Sequence, residues 1–465
     1  MTAVISTLRS RTLLLALAAL VLTWSSSQGE RLSAQTTFAR LEATAREELQ
    51  QQQTPGAAIA IVHDGRLIYS RGFGVANVET GEETRPEMLF RLGSTTKMFT
   101  AATVVLLAEQ GKIRLTDPIG NYIAGLTPKL AALTAHQLLS HTSGILDEAP
   151  MFGSHDDDAL KREIASWTDT RFFAEPGQIY SYSNPGYWLA GRLAEQVGGK
   201  PFADQVASSI FAPLGMSRST FRPTLAMTYP LSQGHDLIDG KPQIIRPSAN
   251  NSASWPAGSI FSNVIDLSRW ISAFVDAGVL NGQQVLPAAV FATLATPKTP
   301  IPGTPNKYGY GVQVGDWRGL QVVGHGGSRS GYGSTIRMVP SRRFGVVVLA
   351  NRTGVGMTRT ADAALEAVLN PVPQPTPAKL TTMVTSAADR VRFVGKYSQG
   401  PRQMTVAAKG DELFVTQSDR EVLLRRIGEL EFTAGENRFV FVTDTAGVVT
   451  FLHSGGRSWR KMQIQ

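Results

Sequence analysis

Ser94-Thr95-Thr96-Lys97 sets a hydroxyl and an amine three residues apart. On a helix, positions i and i+3 share a face, so the two groups become neighbours. A hydroxyl is a poor nucleophile until a base takes its proton. A lysine serves as that base when burial and nearby positive charge depress its pKa. A serine at a helix N-terminus also meets the partial positive charge there, which favours a developing oxyanion. The same four residues fit an N-cap serine followed by a solvated lysine. The flanks Met88-Leu89-Phe90 and Met98-Phe99 favour the catalytic reading, because they set Lys97 beside apolar core.

Two later stretches carry complementary chemistry. In Tyr182-Ser183-Asn184 the tyrosine can relay protons as phenolate or phenol if Lys97 and its neighbours lower its pKa. Asn184 can hydrogen-bond Lys97 and an amide-like substrate group. The lesser alternatives are a core aromatic for Tyr182, beside Tyr180, Tyr187 and Trp188, and a turn residue before Pro185-Gly186 for Asn184. His325 can donate to a substrate carbonyl or carboxylate, and Gly326 and Gly327 behind it let backbone and substrate approach closely. The two glycines also fit a bulge or tight turn.

These residues need elements to hold them. The pattern predicts a helix from Ser94 to about Gln110, with Gly111 as its stop. An amphipathic helix is expected over Thr37 to Gln52. A hairpin follows, with Ala57–Val62 and Leu67–Tyr69 around Asp64-Gly65. The middle of the chain, to about Asp276, alternates helical patterns with Pro/Gly-rich loops. Strand character returns at Tyr308–Val314, Leu320–Val323, Ser334–Val339 and Phe344–Leu349, before a last helix over Thr360–Leu369. The fold class expected is α/β (an α+β sandwich): an antiparallel sheet flanked by helices, with a largely helical insert. Pro371-Val372-Pro373-Gln374-Pro375-Thr376-Pro377 then reads as a stiff linker. Short alternating strands after it read as a small all-β barrel or sandwich. The division is therefore a leader over 1–34, a main domain over 36–370, a linker over 371–387 and an antiparallel β domain over 388–465.

The three ordered elements Ser94-Thr95-Thr96-Lys97, Tyr182-Ser183-Asn184 and His325-Gly326-Gly327 resemble those of the β-lactamase-related serine hydrolases. That family includes class C β-lactamases, D-alanyl-D-alanine carboxypeptidases, D-aminopeptidases and certain esterases. The resemblance spans roughly residues 40 to 370. It takes in Leu138-Leu139-Ser140-His141-Thr142-Ser143-Gly144, Glu175-Pro176-Gly177 and Tyr308-Gly309-Tyr310-Gly311. It implies an acyl-enzyme on Ser94, with Lys97 and Tyr182 moving protons. It also implies an oxyanion hole from the backbone N–H groups of Ser94 and Ser328, and substrate contacts from Asn184, His325, Gly326, Gly327 and Ser328. Where the family has Lys-Thr-Gly or His-x-Gly, this chain has a histidine, which is only partly charged at neutral pH. That difference tilts the expected substrate from a dedicated β-lactam towards a D-amino-acid peptide or an ester, and Arg329 stands ready to supply the charge. The alternative is a non-hydrolysing penicillin-binding or cell-wall-binding protein of the same fold. The appended β domain is expected either to line the cleft or to serve as a passive module.

Other chemistries lack their residues. There is no cysteine, hence no disulfide, no thiol nucleophile and no Cys-based zinc site. The seven histidines form no His-Glu-x-x-His, and neither a Gly-x-Ser-x-Gly elbow nor a Walker or dinucleotide loop occurs. No metal and no cofactor is expected. His136 and His141 read as structural, and Asp156-Asp157-Asp158 as a solvated helix start. The formal charge is +8, but its Lys and Arg residues are scattered, so no nucleic-acid partner is expected, only a small-molecule or peptide substrate. Arg9 and Arg11 precede an apolar run over Leu13–Leu22 and a Ser-rich stretch, the layout of a secretory signal. The protein is therefore expected to be exported, periplasmic or secreted, without stable membrane insertion after cleavage.

Overall fold

The strand Gly56–His63 (β1) is apolar almost throughout, because both of its faces are buried. Its Ala58, Ala60 and Val62 enter one core, and Ala57, Ile59 and Ile61 enter another on the opposite side. In a computed structural model describing residues 38–369, 372 and 381–463, β1 belongs to an eight-stranded antiparallel sheet. The expected leader lies outside the described residues, as does most of the Pro-rich stretch.

The other strands are β2 (Arg66–Gly74), β3 (Thr299–Pro300), β4 (Lys307–Tyr308), β5 (Gln313–Trp317), β6 (Leu320–Arg329), β7 (Tyr332–Val339) and β8 (Phe344–Ala350). They lie in the order β2-β1-β8-β7-β6-β5-β4-β3, so the two ends of the main domain meet at β1 and β8. The helix over 38–51 (α1) and Thr358–Leu369 (α5) cover one face. The other face carries the helical middle of the chain, with Thr96–Glu109 (α2), Asn184–Gly198 (α3) and Val264–Val275 (α4). α2 is buried on all sides from Thr96 to Leu107. This explains why its sequence shows no amphipathic stripe.

Three expectations shift. The helix does not begin at Ser94: Gly93–Thr95 form a 3₁₀ turn and the α-helix starts at Thr96. The strand expected over Tyr308–Val314 is broken, because Gly311 takes φ +71° and Gly309 donates back to the Val312 carbonyl. Conversely, the strand over Leu320–Val323 runs on through the glycines to Arg329.

Beyond the linker, eight strands between Gly395 and Lys461 close into a barrel. Its interior is filled by Phe393, Tyr397, Phe432, Phe441 and their neighbours. Phe393 and Phe441 have ring centroids 4.4 Å apart. The barrel is a packed body rather than a ligand cup.

Candidate active site

Gly93 decides the local geometry around Ser94. It has φ +58°, and a Cβ there would fall 2.6 Å from the Ser328 amide nitrogen. A Cβ on Gly327 would lie 2.0 Å from the Leu92 carbonyl. Two glycines therefore let the Ser94 turn run directly against β6. β5 pairs with β6 only as far as Gly324, which leaves residues 325–329 as an edge beside Ser94. Ser94 and Ser328 line one cavity of about 310 Å³, together with Tyr182, Asn184, Ser254, Arg329 and Arg457.

Lys97 is fully buried. Its Nζ donates to Asn184 Oδ1 at 2.7 Å and to the Ala257 carbonyl at 2.8 Å, and lies 3.4 Å from Ser94 Oγ. Burial holds this amine well below the ordinary lysine range, and Arg457 and Arg329 push the same way against Asp147. A neutral amine has two hydrogens and one lone pair. In the neutral form, with both hydrogens committed to Asn184 and Ala257, that lone pair faces the Ser94 hydroxyl.

Tyr182 and Asn184 bracket a helix start. Ser183 caps α3 by accepting from the Gly186 N–H, and Pro185 occupies the first turn, where no N–H is needed. The Tyr182 ring lies 4.7 Å from Lys97 Nζ. Its hydroxyl is buried without a hydrogen-bond partner among the described residues. Burial pushes the phenol pKa up, and the nearby Ser94 hydroxyl offsets this only in part. The condition of a lowered Tyr182 pKa is therefore not met: of the phenolate and the phenol, the resting side chain is the phenol, because the desolvation of its anion outweighs the cation beside it.

His325 is corrected too. It is buried, with Nε2 2.9 Å from the Tyr308 hydroxyl and Nδ1 against the Gly326 carbonyl. Both nitrogens are occupied, so the ring is not a free donor to the cavity. Burial, with Lys97 nearby, pushes its pKa down to about 3. It stands in the wall behind Tyr182, with ring centroids 6.1 Å apart. Gly326 and Gly327 are extended in β6 rather than in a tight turn.

Sequence reasoning missed three participants. Asp147 Oδ1 accepts from the Asn184 backbone N–H at 2.8 Å and from its Nδ2 at 3.0 Å, which aims Asn184 Oδ1 at Lys97. Asp147 is isolated in sequence, and no spacing rule marks it. His141 forms the floor under Tyr182, with ring centroids 4.2 Å apart and Nδ1 accepting from the Ser183 N–H at 3.1 Å. Its signal was present in the Leu138–Gly144 stretch. Arg457 comes from the barrel: its Nε lies 2.7 Å from Asp147 Oδ2. The Gly456 carbonyl accepts from the Tyr182 N–H at 2.9 Å, and Ser458 Oγ donates to the Tyr180 carbonyl at 2.8 Å. The barrel's last hairpin is therefore one wall of the site.

Elsewhere, Asp156 and Asp157 pair with Arg162 and Arg222, and His136 meets the Tyr310 hydroxyl at 2.7 Å. Among the described residues no cluster is suited to a metal ion.

The sequence model of the β-lactamase family matches residues 41–370. The chain belongs to that family. Among curated relatives, penicillin-binding protein 4 of Amycolatopsis lactamdurans is 29% identical over 65% of this chain and 82% of its own. A D-aminopeptidase of Gluconobacter oxydans is 30% identical, over 70% of this chain and 61% of its own. The chain thus spans about three fifths of several of the curated relatives it matches. Among solved structures, SurE superposes with a TM-score of 0.74 at 24% identity, covering 93% of this chain and all of that one. The shared fold therefore includes the barrel.

Proposed function

We propose that this member of the β-lactamase family is an exported serine hydrolase that works through an acyl-enzyme on Ser94, with a D-amino-acid peptide, an ester or a β-lactam as substrate. The observation that carries the reading is the buried Lys97 amine, which donates to Asn184 Oδ1 and the Ala257 carbonyl and stands 3.4 Å from Ser94 Oγ. As Ser94 Oγ bonds to the substrate carbonyl carbon, its proton passes to Lys97. The carbonyl oxygen becomes an oxyanion facing the Ser94 and Ser328 amides. When the carbon–nitrogen or carbon–oxygen bond breaks, Tyr182 protonates the leaving group and is reprotonated from Lys97. Water then attacks the ester carbonyl, giving its proton to the same pair, which passes it to Ser94 Oγ as the acyl C–Oγ bond breaks and the carboxylic acid leaves.

The neutral His325 supports the tilt away from a dedicated β-lactamase, since it offers no charge for a β-lactam carboxylate. The first test is labelling by a fluorescent alkyl fluorophosphonate, followed by turnover of a chromogenic cephalosporin, a D-alanyl dipeptide and a short-chain ester. Wild-type protein is expected to label and Ser94→Ala to stay dark. A wild type that does not label would refute the serine chemistry and favour a non-hydrolysing binder.

A further inference from the structure

A proton donor works only if it is held where the proton is needed. The Tyr182 hydroxyl is buried without a hydrogen-bond partner among the described residues, so its aim rests on the ring packed over His141 and on the backbone that carries it. That backbone is gripped one residue earlier as well. Ser181 is 3% exposed, and its Oγ accepts from Gln399 Nε2 at 3.0 Å and from the Ser458 N–H at 3.1 Å. Gln399 ends the first barrel strand (Gly395–Gln399) and is fully buried. Its Nε2 donates also to the Ser458 carbonyl at 3.1 Å, and its Oε1 accepts from Arg402 at 2.7 Å. Arg402 opens the next strand (Arg402–Lys409) and donates to the Asp147 carbonyl at 2.8 Å. Between them the turn lies against Leu146, where a Cβ on Gly400 would come 3.1 Å from a methyl group. One hairpin therefore touches both the segment that carries Asp147 and the segment that carries Tyr182.

Adhesion does not account for this network. The barrel already packs on the main domain through Leu146, Phe173, Ala174, Ile179 and Phe451. An apolar residue at 399 would extend that contact without burying an amide, which is costly unless its hydrogen bonds are made. What a fully bonded amide adds is direction. The bonds of Gln399 fix where Ser181 stands relative to Asp147. They thereby fix where Tyr182 stands relative to Asn184 and Lys97, which Asp147 orients.

Resting on the serine chemistry proposed above, we infer that Gln399 and Arg402 are positioning residues: through Ser181 and the Asp147 carbonyl they aim the Tyr182 phenol at the leaving group. Neither touches the reacting atoms. The first barrel hairpin thus acts on one step, the transfer of a proton from Tyr182 to the departing oxygen or nitrogen. A leaving group basic enough to need that proton depends on the hairpin, and one that departs as a stable anion does not.

The test compares kcat/KM for 4-methoxyphenyl acetate with that for 4-nitrophenyl acetate, which share an acyl group and differ in how basic the departing phenolate is. Gln399→Glu keeps the shape and the contact with Arg402 but loses both N–H donors. Ser181→Ala removes their acceptor from the main-domain side, a change small enough to leave the fold in place. In both variants the ratio of methoxy to nitro ester is expected to fall ~3- to 10-fold, the effect of one or two lost hydrogen bonds on a single step. Arg402→Ala is expected to lower the ratio and Arg402→Lys, which keeps a donor, largely to retain it. A merely structural role slows both esters by the same factor and lowers the melting point. Equal losses, or none, in Gln399→Glu and Ser181→Ala would overturn the inference while leaving Ser94 chemistry intact. Absence of fluorophosphonate label on the wild type would overturn both.

Discussion

Replacing Arg457 with alanine tests whether the barrel acts on the chemistry or only on stability. Arg457 and Asp147 form an ion pair whose side chains are 30% and 4% exposed. Breaking a fully buried pair costs ~3–5 kcal/mol. Here water can refill the gap from the arginine side, so we expect a loss of ~1–3 kcal/mol in stability. Asp147 keeps the two N–H groups of Asn184, but its second oxygen is left without a cation. The amide that orients Lys97 is then less firmly held, and losing ~1.4–2.8 kcal/mol of transition-state stabilisation lowers the rate ~10- to 100-fold.

The pH profile of this variant separates the two roles. Arg457 lowers the Lys97 pKa and Asp147 raises it. Removing Arg457 leaves only Arg329 to oppose the carboxylate, so the Lys97 pKa rises. Because the amine must be neutral to accept the Ser94 proton, the acid limb of the rate moves to higher pH. The assay is the second-order rate of fluorophosphonate labelling against pH, alongside thermal melting. Adding Asp147→Asn to Arg457→Ala removes the unpaired charge and returns part of the lost stability. A labelling profile that superposes on the wild type, with a lowered melting point only, would refute the role assigned to the hairpin.

Two further substitutions probe the site directly. Tyr182→Phe removes the proton donor while keeping the ring over His141, so acyl-enzyme is expected to persist, with turnover down ~100- to 1000-fold. Intact mass after mixing with substrate reads this, and normal turnover without accumulation would refute it. Gly93→Ala is expected to abolish labelling, because the residue's φ is +58° and the new Cβ would sit 2.6 Å from the Ser328 amide; labelling at the wild-type rate would show that the turn adapts.

Much of this molecule was legible in its sequence because its rules are local. Apolar runs in β1 and β8, the Asp64-Gly65 turn and the shift in composition after Pro371 depend on neighbours a few residues away. Ser94 and Lys97 were readable for the same reason, since a single helical turn fixes their spacing. What escaped depends on burial and on distant pairing. The fate of His325 is set by Tyr308 and that of Tyr182 by desolvation, and neither appears as a spacing. Asp147 and Arg457 are 310 positions apart, and no pattern in either segment points to the other.

That separation gives the chain an order of readiness during its synthesis. The nucleophile and its base emerge early, but the cation on Asp147 and the carbonyl that holds the Tyr182 backbone belong to the last barrel hairpin. A nascent chain stopped before residue 455 carries every protein group that reacts, yet lacks the clamp that aims them. On the proposed reading, full hydrolytic power is deferred until the barrel has been made and has docked. On the serine chemistry proposed above, an unfinished chain would be a weak enzyme.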